Sequence, residues 1–216
     1  GRQELLGEYV EEIEGALWQL DWIDNNRRTE PPSVMQLVET DEGAVETKML
    51  DLPRIVIAID PAVTANADSD ETGIAVAGVG PDGDYYVLSI DGYRLPPQQW
   101  AMKALDAYDR WQADKIVAEV NNGGDMVIDT INRVCDGLGR SVNVEAIRAS
   151  RGKTLRAEPI AALYEQGRVH HCGIFENAED QMTMFPVANE HDDLVDSVVY
   201  ALSELSNQGA PNIRFL

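Results

Sequence analysis

Ile55-Val56-Ile57-Ala58-Ile59-Asp60 is the stretch whose reading decides the fold. Its apolar residues run without the alternation of a half-solvated strand, so the strand they form is expected to be buried on both faces. The run then stops on a carboxylate. Lys115-Ile116-Val117-Ala118-Glu119 repeats the pattern further along the chain and again ends on an acid. If these two strands lie side by side, their terminal carboxylates project from the same sheet edge.

The segments around these strands set the architecture. Gly73–Val79 is a second apolar run, Pro81-Asp82-Gly83-Asp84 is a turn by composition, and Tyr85–Ile90 is a third strand, which together predict an antiparallel hairpin. Pro96-Pro97 starts a helix in which Trp100, Ala104, Tyr108 and Trp111 recur at helical spacing. Gly123-Gly124 leads into a helix with Val127, Ile131 and Val134 on one face, Val142–Ile147 is a fifth strand, and helices follow over 154–166 and 191–205. This order predicts an α/β fold: a mixed sheet of three antiparallel strands followed by parallel strands, flanked by helices. A seam falls at Leu52-Pro53. Before it, one short helix is expected around Ala16-Leu17-Trp18-Gln19-Leu20, Pro31-Pro32 breaks any helix, and residues 33–52 show no period. The expected division is a linker or preceding-domain end over 1–52, the α/β domain over 53–206 and a tail over 207–216.

Composition narrows the function. The 216 residues are 44% hydrophobic and 25% charged, which suits a soluble globular domain with a full core. Seventeen basic against 38 acidic residues give a net charge of −21. Such a chain is no passive nucleic-acid coat, because neutralising phosphates needs basic surface. An enzyme that meets DNA through divalent cations remains open. Most of these charges read as a solvated acidic surface, and the scarcity of lysine also fits a salt-rich setting. Cys135 and Cys172 form no Cys-x-x-Cys pair and read as free thiols in a reducing compartment. No apolar run approaches the roughly 20 residues that span a bilayer, so no membrane partner is expected. The chain opens on Gly1 with no targeting segment and reads as a piece of something longer.

The acids carry the chemistry. Asp60 and Glu119 end strands, and Asp192, Asp193 and Asp196 open the last helix, where Asp193 and Asp196 share a face. Three or four such carboxylates are what hard divalent cations require, and two ions about 3.5–4 Å apart can activate water and stabilise the leaving oxygen of a phosphodiester. Asp192 and Asp193 also suit a purely structural role at a helix N-terminus. Arg148, Arg151, Lys153 and Arg156 form one basic cluster in an otherwise acidic chain, fit to hold a phosphate backbone without reading bases. Asn121 and Asn122 can donate to a phosphate or cap the following helix. Three motifs fail on inspection. Gly152-Lys153-Thr154 lacks the upstream glycine of a phosphate-binding loop, and Asp68-x-Asp70-x-Thr72-Gly73 lacks the closing acid of a calcium loop. His170-His171-Cys172 lacks a second ligand pair for zinc and reads as a strand end.

The stretches Ile57–Ala62, Ser69–Ile74, Ile116–Met126, Ala149–Lys153 with Arg156-Ala157-Glu158-Pro159, and His191–Ser197 resemble, in order, the C-terminal nuclease domain of large terminase subunits of tailed bacteriophages or prophages. That family is similar in fold to RNase H and RuvC resolvases. The resemblance implies a two-metal DNA endonuclease that cleaves concatemeric double-stranded DNA at the initiation and termination of packaging. Asp60 would bridge both ions, Mg²⁺ or Mn²⁺, with Glu119 as the second ligand, Asp193 ahead of Asp196 as the third, and Asp70 as an auxiliary ligand. The Val63–Asp68 insertion before Asp70 departs from the family pattern. Residues 1–50 resemble the end of the family's ATPase domain, without the motor's phosphate-binding elements. Implied partners are double-stranded DNA, the ATPase domain of the full-length chain, the small terminase subunit and the portal protein. The implied location is the host cytoplasm during virion assembly, and not the mature virion. A non-catalytic docking module of the motor and a RuvC-like junction resolvase are the alternatives, and the N-terminal segment favours terminase over resolvase.

Overall fold

The computed structural model describes residues 13–41, 43–62, 71–121, 126–148, 152–187 and 192–207. A short helix α1 (Leu20–Asp24) and a hairpin β1 (Ser33–Thr40) and β2 (Gly43–Leu50) precede the main sheet. Then come β3 (Arg54–Asp60), β4 (Thr72–Val79), β5 (Tyr85–Tyr93), α2 (Pro97–Trp111), β6 (Lys115–Glu119), α3 (Met126–Gly137) and β7 (Val144–Ile147). The chain closes with α4 (Lys153–Glu165), β8 (Val169–His171), α5 (Glu176–Met184) and α6 (Asp193–Asn207).

The six-stranded sheet has the order β7-β6-β3-β4-β5-β8. The β3, β4 and β5 strands are antiparallel neighbours, while β6 and β7 extend the sheet in parallel beyond β3. This is the mixed sheet that the sequence predicts. β8 is an addition, pairing in parallel with β5 at the opposite edge. Three residues are too few to show a period.

β3 shows why its sequence does not alternate. Val56 and Ala58 enter a core layer with Ala75, Ala77, Ile160, Tyr164 and the buried side of α6, whereas Ile55, Ile57 and Ile59 enter a second layer with Trp100, Leu105, Val127 and Ile131 of α2 and α3. Both faces are dry, so each position must be apolar. Replacing Ile57 by Ala would remove about 2–5 kcal/mol of stability. The alanines toward α6 have a purpose of their own: small side chains let that helix lie close across β3 and β4. α6 is consequently buried almost all round from Leu194 to Leu202.

The N-terminal segment differs from expectation in detail. Trp18 lies ahead of the helix, 1% exposed, with its ring edge-on to Tyr164 and Phe185. Ile23 of α1 is equally buried in the same layer. Residues 33–50 form a regular hairpin, Ser33↔Leu50 through Thr40↔Gly43, whose side chains are almost all exposed. With no core face, it leaves no hydrophobic period to read. Both cysteines are free thiols, Cys135 buried and Cys172 half-buried. No helix among the described residues is long and apolar enough to cross a membrane.

Candidate active site

The strand pairing answers the adjacency question. β3 and β6 run parallel with Ile59 beside Ala118, so Asp60 and Glu119 are level at one sheet edge. On its other side Asp60 pairs with Gly73. A Cβ at Gly73 would sit 2.3 Å from the Asp193 carbonyl oxygen and 3.2 Å from the Ser197 Cβ. Only a glycine there lets the first turn of α6 sit down on β4, and that seating brings Asp193 and Asp196 to Asp60.

Electrostatics report the crowding. Burial pushes the Asp60 carboxyl up to about 8, helped by Asp196, then Asp193, then Glu119, with Lys153 partly offsetting them. Each added negative charge makes the next harder to hold in a partly desolvated site. Glu119 is 5% exposed, and its Oε1 accepts the Asn121 backbone N–H at 3.0 Å. The Oδ2 of Asp193 accepts the Glu71 backbone N–H at 3.0 Å, fastening the start of β4 to α6. Asp196 is 3% exposed and doubly ion-paired, to Lys153 Nζ at 3.0 Å and to Arg156 Nη2 at 3.1 Å. Lys153 also donates to Asp192. Burial works against the Lys153 charge, but hydrogen bonds to Asp192 and Asp196 raise its pKa above the ordinary lysine range.

The basic cluster therefore divides. Lys153 and Arg156 turn inward onto the acids, and Arg148 follows β7, whose Ile147 pairs with Glu119. Arg151 and Asp70 lie outside the described residues, as do Asn122 and the Val63–Asp68 insertion. Asp192 takes part as a partner of Lys153, which its place beside Asp193 could have suggested. Tyr200 was not singled out by sequence. It lies one turn after Asp196 with the Arg156 guanidinium 5.1 Å from its ring centroid, and burial with Asp196 and Asp60 nearby raises its hydroxyl pKa. The i, i+4 spacing was its only signal. His170 and His171 end β8 as a buried strand end: His171 contacts the Tyr164 hydroxyl and the Glu179 carboxylate, each at 2.9 Å.

Among the described residues, no three His, Cys, Asp or Glu side chains are gathered closely enough to enclose a metal ion as they stand. The donor chemistry nonetheless fits a hard divalent cation. Asp60, Glu119 and Asp193 offer oxygen alone, and a cation relieves the repulsion that adds to burial in raising Asp60. Asp196 can join them where Lys153 and Arg156 release it.

The family model of the terminase RNaseH-like domain matches residues 57–205. The nuclease domain of the large terminase subunit gp2 of bacterial virus Sf6 is similar in structure, with a TM-score of 0.60 at 10% identity over 87% of this chain and 98% of that one. The large terminase nuclease from thermophilic phage G20c with bound magnesium gives 0.56 at 17% identity, over 89% of this chain and 98% of that one. With bound zinc, that nuclease gives 0.54 at 18% identity, over 83% and 95%. No curated protein matches the sequence. At these identities the solved structures speak for the fold, and the fold is the RNase H-like one. The family model, covering well over half of the residues, carries the assignment: the chain belongs to the terminase RNaseH-like domain family.

Proposed function

We propose that this chain is a divalent-metal-dependent endonuclease that cuts concatemeric double-stranded DNA at the start and end of viral genome packaging. One observation carries the reading: Asp60 stands at a sheet edge facing Glu119, Asp193 and Asp196, with its carboxyl pushed up to about 8 by burial and by those acids. The family supports it, as do the magnesium and zinc bound to the G20c nuclease.

Asp60, Glu119 and Asp193 or Asp196 would hold two ions, Mg²⁺ or Mn²⁺. Bound there, such ions supply an activated water and charge stabilisation for the leaving oxygen. The chain's own residues prepare the place. Gly73 seats α6, the Glu71 N–H orients Asp193, and the Asn121 N–H orients Glu119. Lys153 and Arg156 hold Asp196 in place and limit the repulsion around Asp60. In this reading the ATPase domain of the full-length chain, the small subunit and the portal would present the DNA, in the host cytoplasm during assembly.

A plasmid-nicking assay with Mn²⁺ or Mg²⁺ tests the proposal. Wild type should convert supercoiled DNA to open-circular and linear forms, and Asp60→Asn should not. Equal cleavage by a folded Asp60→Asn protein would remove Asp60 from the centre.

A further inference from the structure

We infer that the groove between α4 and α6 is a binding site for a DNA-backbone phosphate flanking the one that is cut; the identity of the substrate rests on the nuclease reading. The groove encloses about 300 Å³, and its walls include Arg148, Arg156, Tyr200, Ser203, Glu204 and Asn207. On α6 it starts one turn past Asp196. Asp196, Tyr200, Ser203 and Asn207 follow one another at steps of four, three and four, so they share one face of α6. The groove follows that face from Tyr200 to Asn207 along roughly 10 Å of helix, about three times the ~3.4 Å of duplex axis per phosphate of one strand. Arg148 enters from the other wall, just past the strand end that pairs with Glu119.

Arg156 shows what the groove lacks. Its Nη2 bonds Asp196 at 3.1 Å and its guanidinium lies over Tyr200. Its Nε–H is buried and has no hydrogen-bond partner among the described residues. A buried donor without an acceptor is unusual, and a guanidinium fork matches the oxygens of a phosphate. Glu204, the acid on the wall, shares Lys115 Nζ (2.7 Å) with Glu145 (2.9 Å). Against that one acid the walls carry two guanidiniums, Arg148 and Arg156, so the groove can take an anion. An oxyanion there would meet the Arg156 guanidinium beside its Asp196 bond and tie the strand to the acid that faces Asp60. Free inorganic phosphate offers the same chemistry, but a groove that begins one turn past Asp196 and follows the same helix face makes a polymer backbone the occupant.

The test is a salt titration of duplex binding in EDTA, on two unrelated duplexes, starting at low salt. Arg148→Ala and, from the opposite wall, Ser203→Asp should each weaken binding equally on both duplexes. Each should also flatten the slope of log K against log salt by about one phosphate contact. Melting curves matching wild type establish that both variants fold. Unchanged slopes, or a wild type that binds no duplex at the lowest salt, overturn the inference. A rise in wild-type melting temperature with inorganic phosphate at constant ionic strength, lost in both variants while the duplex slopes stay unchanged, would assign the groove to the free anion instead. Plasmid cleavage in Mn²⁺ is scored separately. Altered slopes without wild-type cleavage leave the groove standing and sink the nuclease; cleavage with unaltered slopes does the reverse.

Discussion

Asp60→Asn should make the metal-free protein more stable while destroying its activity. In the folded chain the Asp60 carboxyl, raised by burial, Asp196, Asp193 and Glu119, keeps its proton up to about 8, against 3.8 in the unfolded chain. The folded state therefore binds this proton more tightly. Its contribution to stability is complete below about pH 4 and is lost as pH climbs toward about 8. At ~1.4 kcal/mol per pH unit the ceiling over that span is about 6 kcal/mol, and water at the open side of the sheet edge reduces the expectation to about 2–3 kcal/mol. Asparagine keeps the shape and removes the charge. For a domain of this size, that predicts a metal-free melting temperature about 5–10 °C above wild type near pH 8. The two proteins should converge near pH 4. The measurement is a series of thermal melts in EDTA from about pH 4 to 8.5, read as the difference between the proteins. Titrations remote from Asp60 cancel in that difference, including His171, lowered by burial, and Glu179, pulled down to about 2 against its burial by His171 and Arg27. Added Mn²⁺ should then stabilise wild type and leave the variant nearly unmoved. A difference that does not grow with pH would refute the claim that Asp60 is charged at a cost.

Three further substitutions probe the frame around it. Gly73→Ala forces a Cβ to within 2.3 Å of the Asp193 carbonyl oxygen; melts should show about 1–3 kcal/mol lost and nicking should fall with it, so a variant as stable and active as wild type would mean that α6 is not seated there. Glu179→Ala strips the partner of Arg27 (2.7 Å) and of His171 (2.9 Å) at a side chain with no exposure, so denaturant unfolding near neutral pH should show about 3–5 kcal/mol lost. Since Glu179 is held low, that difference should shrink as pH falls from 4.5 toward about 2, and a pH-independent deficit would contradict it. Lys153→Ala removes the ammonium from Asp192 and Asp196; it should lower the melting temperature in EDTA and enlarge the rise on adding Mn²⁺, and an unchanged metal response would show that Lys153 does not stand in for a cation.

Legibility followed the length scale of each signal. Ile55–Asp60 and Lys115–Glu119 were readable because a strand dry on both faces must be continuously apolar, so the carboxylate at its end stands out. The mixed sheet followed from their order. The β1–β2 hairpin carries no such signal, since both of its faces meet solvent. α5 hides its pattern because one of its three buried residues is Glu179, a charge kept in the interior by Arg27 and His171. At the site, the spacing of Asp193 and Asp196 was plain, but their meeting with Asp60 depends on Gly73, whose role exists only once β3 and β4 are paired. The basic cluster was visible as composition and silent about direction. That Lys153 and Arg156 turn inward depends on where α6 begins relative to α4.

That inward turn bears on how an acidic chain could act on a polyanion. With a net charge of −21, long-range attraction cannot bring DNA to this domain. Two of the nearby cations, Lys153 and Arg156, are engaged by Asp192 and Asp196. Glu119 and Asp193, joined by Asp60 wherever it loses its proton, then leave the sheet edge with excess negative charge facing the approaching phosphate. A divalent cation reverses that balance locally, so under the nuclease reading metal and DNA must bind with positive coupling. The coupling is reciprocal by thermodynamic necessity. Duplex should therefore tighten Mn²⁺ as much as Mn²⁺ tightens duplex, and both effects should shrink in Asp60→Asn. Calorimetric titration of Mn²⁺ into a wild type made non-cleaving by a phosphorothioate-protected duplex would measure it. Equal Mn²⁺ affinity with and without duplex would mean that the acids and the DNA do not share a site.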